Sequence, residues 1–562
     1  MCQWIQIFGT RNASTTLHPN RIFEQFPAPG YRGNQETALE DIRDAFLSDA
    51  DVVLIQAPTG SGKSLLARAI AGCANTREET DDSDTPVDAF YTTPQVSQLD
   101  DVEEDDLLED FNIVRGKNNY NCILPGHTDV PVGEAKCVRE SGYDCASKQN
   151  CPYYVDRAAA VDGRIAAMTL AYFMQTASSE LFDERDVVVI DEAHGLVKWA
   201  EMYGTISLSP RTVPMWDDLS VPDIDTVQEA VNVCSSLHSR TTRRLNALSD
   251  KHELTGAETA EREQIYRLRG NISWLIDDYE PNADEQEWVV DQADNGAITI
   301  KPLNPQRYLK HTIWDRGEKF ALLSATILNK DAFCRQMGID PADAAFVQVP
   351  HTFPVENRPL YDVTCGEMTK EAKPETLPEI GRTIAQVMKR HRNSKGIIHC
   401  HSYEIQRKLV KCVNDLGFGE RVRKHTSDNR DQAFTDWKQS TGTDVFFSVK
   451  MEEALDLEGD LARWQVLCKA PYLNAGDSRV NARLEDGQWN WYFRRALQTL
   501  IQACGRIIRT PDDEGATYIA DSSILDVFEK SKHEMPPWFE EQVDRCSEAD
   551  LPEIEAGAAS LD

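Results

Sequence analysis

Asp51-Val-Val-Leu-Ile-Gln-Ala-Pro-Thr-Gly-Ser-Gly-Lys-Ser64 is the stretch that decides the fold. An apolar run of strand length, Val52 to Gln56, enters a glycine-rich turn, and an amphipathic helical stretch, Leu65 to Ala71, follows. A phosphate cradle requires that order of strand, turn and helix. Gly60 and Gly62 let backbone N–H groups approach phosphate oxygens, with Thr59 and Ser61 completing the turn. Lys63 reaches the β and γ oxygens of a nucleoside triphosphate, and the Ser64 hydroxyl holds Mg²⁺. The first glycine of the general pattern is Ala57 here.

Working outward, Val187-Val-Val-Ile190 is followed by Asp191-Glu-Ala-His194, which puts two carboxylates at the carboxyl end of a second buried strand. Open α/β sheets place their ligands there. Asp191 is suited to Mg²⁺ through its water shell, and Glu192 to orienting and deprotonating an attacking water. Further strand-length runs, Phe320 to Leu323, Gly396 to Cys400 and Val466 to Ala470, alternate with amphipathic helical stretches. That alternation marks parallel-sheet α/β domains. A chain of 562 residues exceeds one hydrophobic core, so more than one domain is expected. Val227 to Tyr279, rich in Arg, Glu, Leu and Ala at helical spacing without strand signals, reads as an inserted helical subdomain. The acidic runs Asp100 to Asp110 and Glu78 to Asp84 read as solvated loops or helix faces, and Ser547 to Asp562 as a frayed, dispensable tail.

The formal net charge of −34 opposes long-range attraction to a phosphate polymer. A very salty cytoplasm would account for such an acidic surface, and an acidic protein with a local basic channel is the other reading. At roughly 1 M salt the Debye length is about 3 Å, so short-range contacts would carry binding. No apolar stretch reaches 18 residues and no secretory signal is evident, so a soluble, cytoplasmic protein without a membrane partner is expected. In that compartment cysteines are reduced thiols or metal ligands. Cys122, Cys137, Cys145 and Cys151 cluster within thirty residues without a CxxC pair. Four thiolates suit a [4Fe-4S] cluster and equally suit tetrahedral Zn²⁺, and spacing alone does not separate them. Cys73, Cys400, Cys468 and Cys504 lie in apolar contexts and read as buried thiols. Arg115, Lys117, Arg139 and Lys148 near the cysteines are candidates for phosphate contacts. Trp464, Tyr472, Trp489, Trp491 and Tyr492 are candidates for stacking on bases, with a core role the commoner reading.

Asp191-Glu-Ala-His194 behind a phosphate loop resembles the DEAH box of superfamily 2 helicases, and other motifs follow in order. Tyr31-Arg32-Gly33-Asn34-Gln35 is similar to the family's adenine-reading segment, with Gln35 bonding the base. Leu323-Ser-Ala-Thr326 is similar to the motif that couples hydrolysis to movement on DNA. Gln502-Ala-Cys-Gly-Arg-Ile-Ile-Arg509 is similar to the late QxxGRxxR motif, which implies Gln502 at the nucleotide and Arg506 and Arg509 reaching its γ-phosphate, Arg509 as the finger. Such an arginine is worth roughly 10³ to 10⁵ in rate. The four cysteines, between the phosphate loop and the DEAH box, resemble the iron–sulfur insertion of the XPD and DinG helicases, which implies a [4Fe-4S] cluster. Glu452-Glu-Ala-Leu-Asp-Leu457 departs from the usual pattern by lacking a glycine before the aspartate. Asp456 and Glu453 are carried over from it as nucleotide-sensing residues, and His399-Cys-His-Ser-Tyr403 occupies the place of a DNA-contacting segment.

The resemblance implies an α/β chain with two RecA-like P-loop motor domains. Motor domain 1 would comprise residues 1–111, 166–200 and 306–350, interrupted by an iron–sulfur insertion at 112–165 and a helical arch at 201–305. Motor domain 2 would span 351–546 and the tail 547–562. It further implies an ATP-dependent DNA helicase running 5′ to 3′, a monomer on single-stranded and forked DNA, alongside repair or replication proteins. The alternatives are a DNA-stimulated ATPase that remodels protein–DNA complexes without unwinding, and a non-catalytic DNA-binding scaffold. Intact Lys63, Asp191, Glu192 and Arg509 argue against the scaffold.

Overall fold

The computed structural model describes residues 17–48, 50–73, 88–139, 143–177, 179, 181–219, 221–251, 254–281, 287–449 and 461–554. Val52–Gln56 (β1), Ala89–Thr93 (β2), Phe111–Val114 (β3), Ile165–Thr169 (β4) and Arg185–Ile190 (β5) belong to one parallel sheet. After an inserted antiparallel sheet of Ile206–Leu208 (β6), Trp288–Gln292 (β7) and Ile298–Pro302 (β8), the first sheet is completed by Gly317–Ser324 (β9) and Ala344–Gln348 (β10). Its order is β10-β1-β9-β5-β2-β4-β3. β1, β2 and β4 are buried along their whole lengths. Strands covered on both faces have no polar side to show, which is why they read as unbroken apolar runs.

The second parallel sheet comprises Leu360–Asp362 (β11), Gly396–His399 (β12), Val422–Lys424 (β13), Val445–Ser448 (β14), Trp464–Leu467 (β15), Ala516–Ile519 (β16) and Ser547–Glu548 (β17), ordered β13-β14-β12-β15-β16-β11-β17. β15 therefore starts two residues ahead of the run Val466 to Ala470, because Trp464 and Gln465 are themselves buried in the sheet.

In the first sheet β1 is separated from β2 by β9 and β5, so the chain crosses over between them. Register aligns Gln56 with Ser324 and Ile190 with Leu322. The phosphate loop, the Asp191 turn and Ser324-Ala-Thr326 consequently leave the sheet at one edge, at the switch where such sheets bind ligands.

The arch-like insertion holds two antiparallel helices, Val227–Ser249 and Gly256–Asp278, each opened by a capping box, Thr226 with Glu229 and Thr255 with Glu258. Leu237, Leu268, Ile272 and Leu275 lie in one buried cluster with Ile298 and Ile300. The insertion is more than helical: β6, β8 and β7 form a sheet at its base. These short strands alternate buried and half-buried positions, as along Ile298–Pro302, and carry too little apolar signal to stand out. The short helix Lys136–Arg139 of the cysteine-bearing insertion lies against Gly256–Asp278.

The tail departs from expectation. β17 pairs with β11, Ala549 and Leu551 pack on the second core, and Lys389 Nζ donates to the Glu553 carbonyl at 2.8 Å. Residues 547–554 are therefore docked rather than frayed. The run Asp100 to Asp110 is largely exposed on the face of the helix Val96–Glu104 and the turns after it, as expected, with Arg115 pairing with Asp100 and Glu103 at 2.6 Å each. The stretch Glu78 to Asp84 lies outside the described residues. Among the described residues no helix is long and apolar enough to cross a membrane.

Candidate nucleotide site between the two sheets

Gly60 and Gly62 both take positive φ, 80° and 79°, a region that costs a residue with a Cβ. Gly62 caps the helix Lys63–Gly72, so the loop's amides and the helix N-terminus face the same space. A Cβ on Gly62 would sit 2.3 Å from Gln35 Nε2. Gln35 is buried, its Oε1 accepting from the Arg32 N–H at 2.8 Å and its Nε2 donating to the Ser61 carbonyl at 3.1 Å. The residue expected at the base is thus built into the wall of the phosphate loop.

Lys63 Nζ stands 3.7 Å from Glu192 Oε1. Glu192 itself has φ 49°, left-handed backbone for a residue with a Cβ, strain of the kind that clusters at working sites. Asp191 Oδ1 accepts from the Glu192 N–H at 2.9 Å, and its Oδ2 accepts from the Tyr91 hydroxyl at 3.3 Å. Burial, reinforced by the neighbouring Glu192 charge, pushes Asp191 up to about 6. Burial also acts to raise Glu192, but Lys63, His194 and Arg506 outweigh it and hold that carboxyl below the ordinary range. The two adjacent acids are split, with Glu192 firmly ionised.

His194 joins the two halves of the molecule. Its Nδ1 lies 3.2 Å from Glu192 Oε2 and 3.0 Å from Ser324 Oγ, while its Nε2 lies 2.7 Å from Gln502 Nε2. An amide nitrogen donates, so the neutral ring accepts at Nε2 and carries its proton on Nδ1, toward Glu192. Gln502 also donates to Thr326 Oγ1 at 3.2 Å, and Gln498, one turn earlier, donates to the Thr326 carbonyl at 2.9 Å. Both glutamines come from Trp489–Cys504, the helix that packs on the second sheet. Arg506 acts on Glu192. Arg509 brings its carbonyl to Gly60, where an added Cβ would lie 2.6 Å from that oxygen and 2.4 Å from Phe353 Cζ. Lys63, Asp191, Glu192, Gln502, Arg506 and the backbone of Arg509 therefore meet at one seam. Asp456 and Glu453 lie outside the described residues.

Two family models match the chain: type III restriction enzyme, res subunit, over residues 30–209, and helicase C-terminal domain over residues 384–542. Between them they take in the phosphate loop, the DEAH box and the arginine motif. The fold is similar to that of Xpd4 from S. tokodaii, with 14% identity, 92% of this chain and 100% of that one covered, and a TM-score of 0.55. It is equally similar to an XPD helicase, at 17% identity, 90% and 98% coverage and a TM-score of 0.55. The fold is thus that of the XPD structures, with a helicase C-terminal domain matched on its second sheet. No curated protein sequence matches it.

Within the insertion Cys122 and Cys151 are buried, Cys137 and Cys145 half-buried, and none forms a disulfide. Burial and then Cys145, Cys122 and Cys151 raise the Cys137 thiol, so the four sulfurs lie within electrostatic reach of one another. Four cysteines are, by chemical type, a donor set for a soft metal centre. Among the described residues, however, no three such side chains stand in a metal-holding arrangement. The basic candidates nearby divide. Arg115 is taken by Asp100 and Glu103, and Arg139 pairs with Glu134 at 3.2 Å, so neither is a ready phosphate contact. Lys117 instead lies over the Tyr153 ring, and Lys148 over that of Tyr154. Of the aromatic candidates, Trp464 is fully buried and Trp491 is covered by Arg483, whereas Trp489 is 51% exposed. Tyr472 and Tyr492 stack in parallel at 5.2 Å. His399 bonds Gln465 rather than grouping with other metal ligands. Sequence reasoning missed Tyr91, Phe353 and Gln498, because a lone aromatic in a strand or a connector and a glutamine outside a signature carry no spacing signal.

Proposed function

We propose that the chain hydrolyses ATP to move 5′ to 3′ along single-stranded DNA and separates strands at a fork, in DNA repair or replication. The observation that carries this reading is the bridge from Gln502 on one motor domain to His194 and Thr326 on the other. Lys63 and the loop amides would bind the β and γ phosphates, with Ser64 and Asp191 holding Mg²⁺. Bound Mg²⁺ would supply neutralisation of the phosphate charge. Glu192, kept ionised beside Lys63, would orient the attacking water and take its proton. Gln35 would serve the base through its remaining N–H.

Arg506 and Arg509 would reach the triphosphate from the second domain. Once the γ-phosphate is lost that attraction weakens, and His194, which touches Glu192, Ser324 and Gln502, would hand the change to the seam. The second-domain residues Asp456 and Glu453 are proposed to sense the nucleotide. Cys122, Cys137, Cys145 and Cys151 would hold a [4Fe-4S] cluster that rigidifies their insertion. Lys117 and Lys148 on their tyrosines would contact the strand.

ATP hydrolysis measured with and without single-stranded DNA, in low and molar salt, tests the motor. Absence of stimulation in both buffers overturns it. Duplexes with 5′ or 3′ tails test direction, and stimulation without unwinding favours remodelling of protein–DNA complexes instead.

A further inference from the structure

We infer that Tyr91 is a positioning residue for the divalent cation that accompanies the nucleotide, acting through Asp191; the inference rests on the nucleotide reading above. Tyr91 lies mid-strand in β2, 1% exposed, opposite Val189 of β5 and Ala167 of β4. Its ring stacks on Phe111 at 5.0 Å and 29°, which fixes where the hydroxyl points. Phenylalanine would satisfy that packing. A hydroxyl at this depth is costly unless paired, and here it donates to Asp191 Oδ2 at 3.3 Å.

Asp191 is one of the two side chains assigned to the cation. The backbone N–H of Asp191 is already held by the Thr92 carbonyl at 2.8 Å, and its Oδ1 by Glu192 N–H. The terminal torsion of an aspartate is broad, so a carboxylate left free on one oxygen samples many orientations. The phenol restrains the second oxygen and leaves the carboxylate aimed. Hydrogen-bond partners behind metal-binding carboxylates commonly account for roughly 10- to 100-fold in metal affinity.

The test uses the full chain and Tyr91→Phe, with ADP titrated calorimetrically in the presence and absence of Mg²⁺, and Mn²⁺ binding to the ADP-loaded protein followed by electron paramagnetic resonance. Tyr91→Phe should bind metal-free ADP as the parent does and lose roughly 10-fold of the affinity gained on adding Mg²⁺. In an Asp191→Asn background the same change should have no further effect. A packing role alone predicts an unaltered gain, and that outcome, or full additivity with Asp191→Asn, overturns the inference. Thermal melting of both proteins checks the fold, and the Mg²⁺-induced gain, being a difference within one variant, stays readable if stability drops. A parent chain whose ADP affinity ignores Mg²⁺ overturns the nucleotide reading itself.

Discussion

At the scale of the residue, the lysine of the phosphate loop faces a carboxylate, and that pairing makes its removal informative. Lys63→Ala should lower turnover by roughly 10²- to 10³-fold, the usual loss when a charge-stabilising donor is removed. Lys63 is a surface of the loop rather than of the core, so the melting temperature should stay within a few degrees; retained turnover in a steady-state assay would take the role from Lys63. His351 offers a second experiment. Burial, with help from Arg358, pushes it down to about 3, and its Nδ1 accepts the Phe353 N–H at 3.0 Å. Above pH 6.5 both folded and unfolded forms are neutral and stability is complete. Between 6.5 and about 3 the unfolded chain takes up a proton that the folded chain refuses, so stability falls with pH by up to about 1.4 kcal/mol per unit. His351→Phe should flatten the decline in denaturation midpoint between pH 7.5 and 5, and an unchanged slope would refute this. The chemistry-bearing residues were legible because phosphate binding dictates both type and spacing. Tyr91 and Phe353 were not, since their roles come from a strand and a connector that the topology brings to the site.

Among the elements, the helix Ser478–Glu485 is where the second motor domain meets the arch. Asp477 caps it, accepting from Arg479 N–H at 3.0 Å and Val480 N–H at 3.4 Å, while its Oδ2 takes Lys301 of β8 at 2.7 Å. Arg479 and Arg483 of the same helix lie 3.4 and 3.5 Å from Glu201. Asp477→Ala should cost about 1 to 2 kcal/mol through the lost cap. Asp477→Asn keeps a capping oxygen, so its denaturation midpoint against the parent's reads the pairing with Lys301, and a parent-like midpoint would mean that the pairing contributes nothing. The cysteine-bearing insertion carries its own test. Protein purified without oxygen should be brown with about four iron atoms per chain, the content of one [4Fe-4S] cluster. Cys137→Ser should lose that colour, and a colourless parent carrying one zinc would replace the cluster. Long helices with capping boxes announced themselves in the sequence, whereas β6 to β8 did not, because short half-buried strands leave too few apolar positions to count.

For the molecule as a whole, the charge of −34 is spread over a surface on which many cations are already matched. Arg115, Lys301, Arg307 and Arg494 each contact a carboxylate. Cations held this way must give up a carboxylate before they displace counterions from DNA, so stimulation of ATP hydrolysis by single-stranded DNA should fall less than about 10-fold between 0.1 and 1 M salt, against losses of roughly 10³ to 10⁵ over a narrower range for proteins with six to ten phosphate contacts. A steep decline would point to a basic channel instead. Two parallel sheets could be read from apolar runs, but the way the lobes lean on each other could not, since cross-domain bonds such as Gln498 to Thr326 join residues far apart in the chain.

The connector between the lobes passes directly over the crest at Gly60, where Phe353 rests beside the Arg509 carbonyl. A link that leans on the fuel inlet would need no distant relay to learn whether the inlet is filled: posture and occupancy would be read at the same few atoms. Crowding there by even one methyl group, on a glycine with φ of 80°, would jam the gauge and the inlet together.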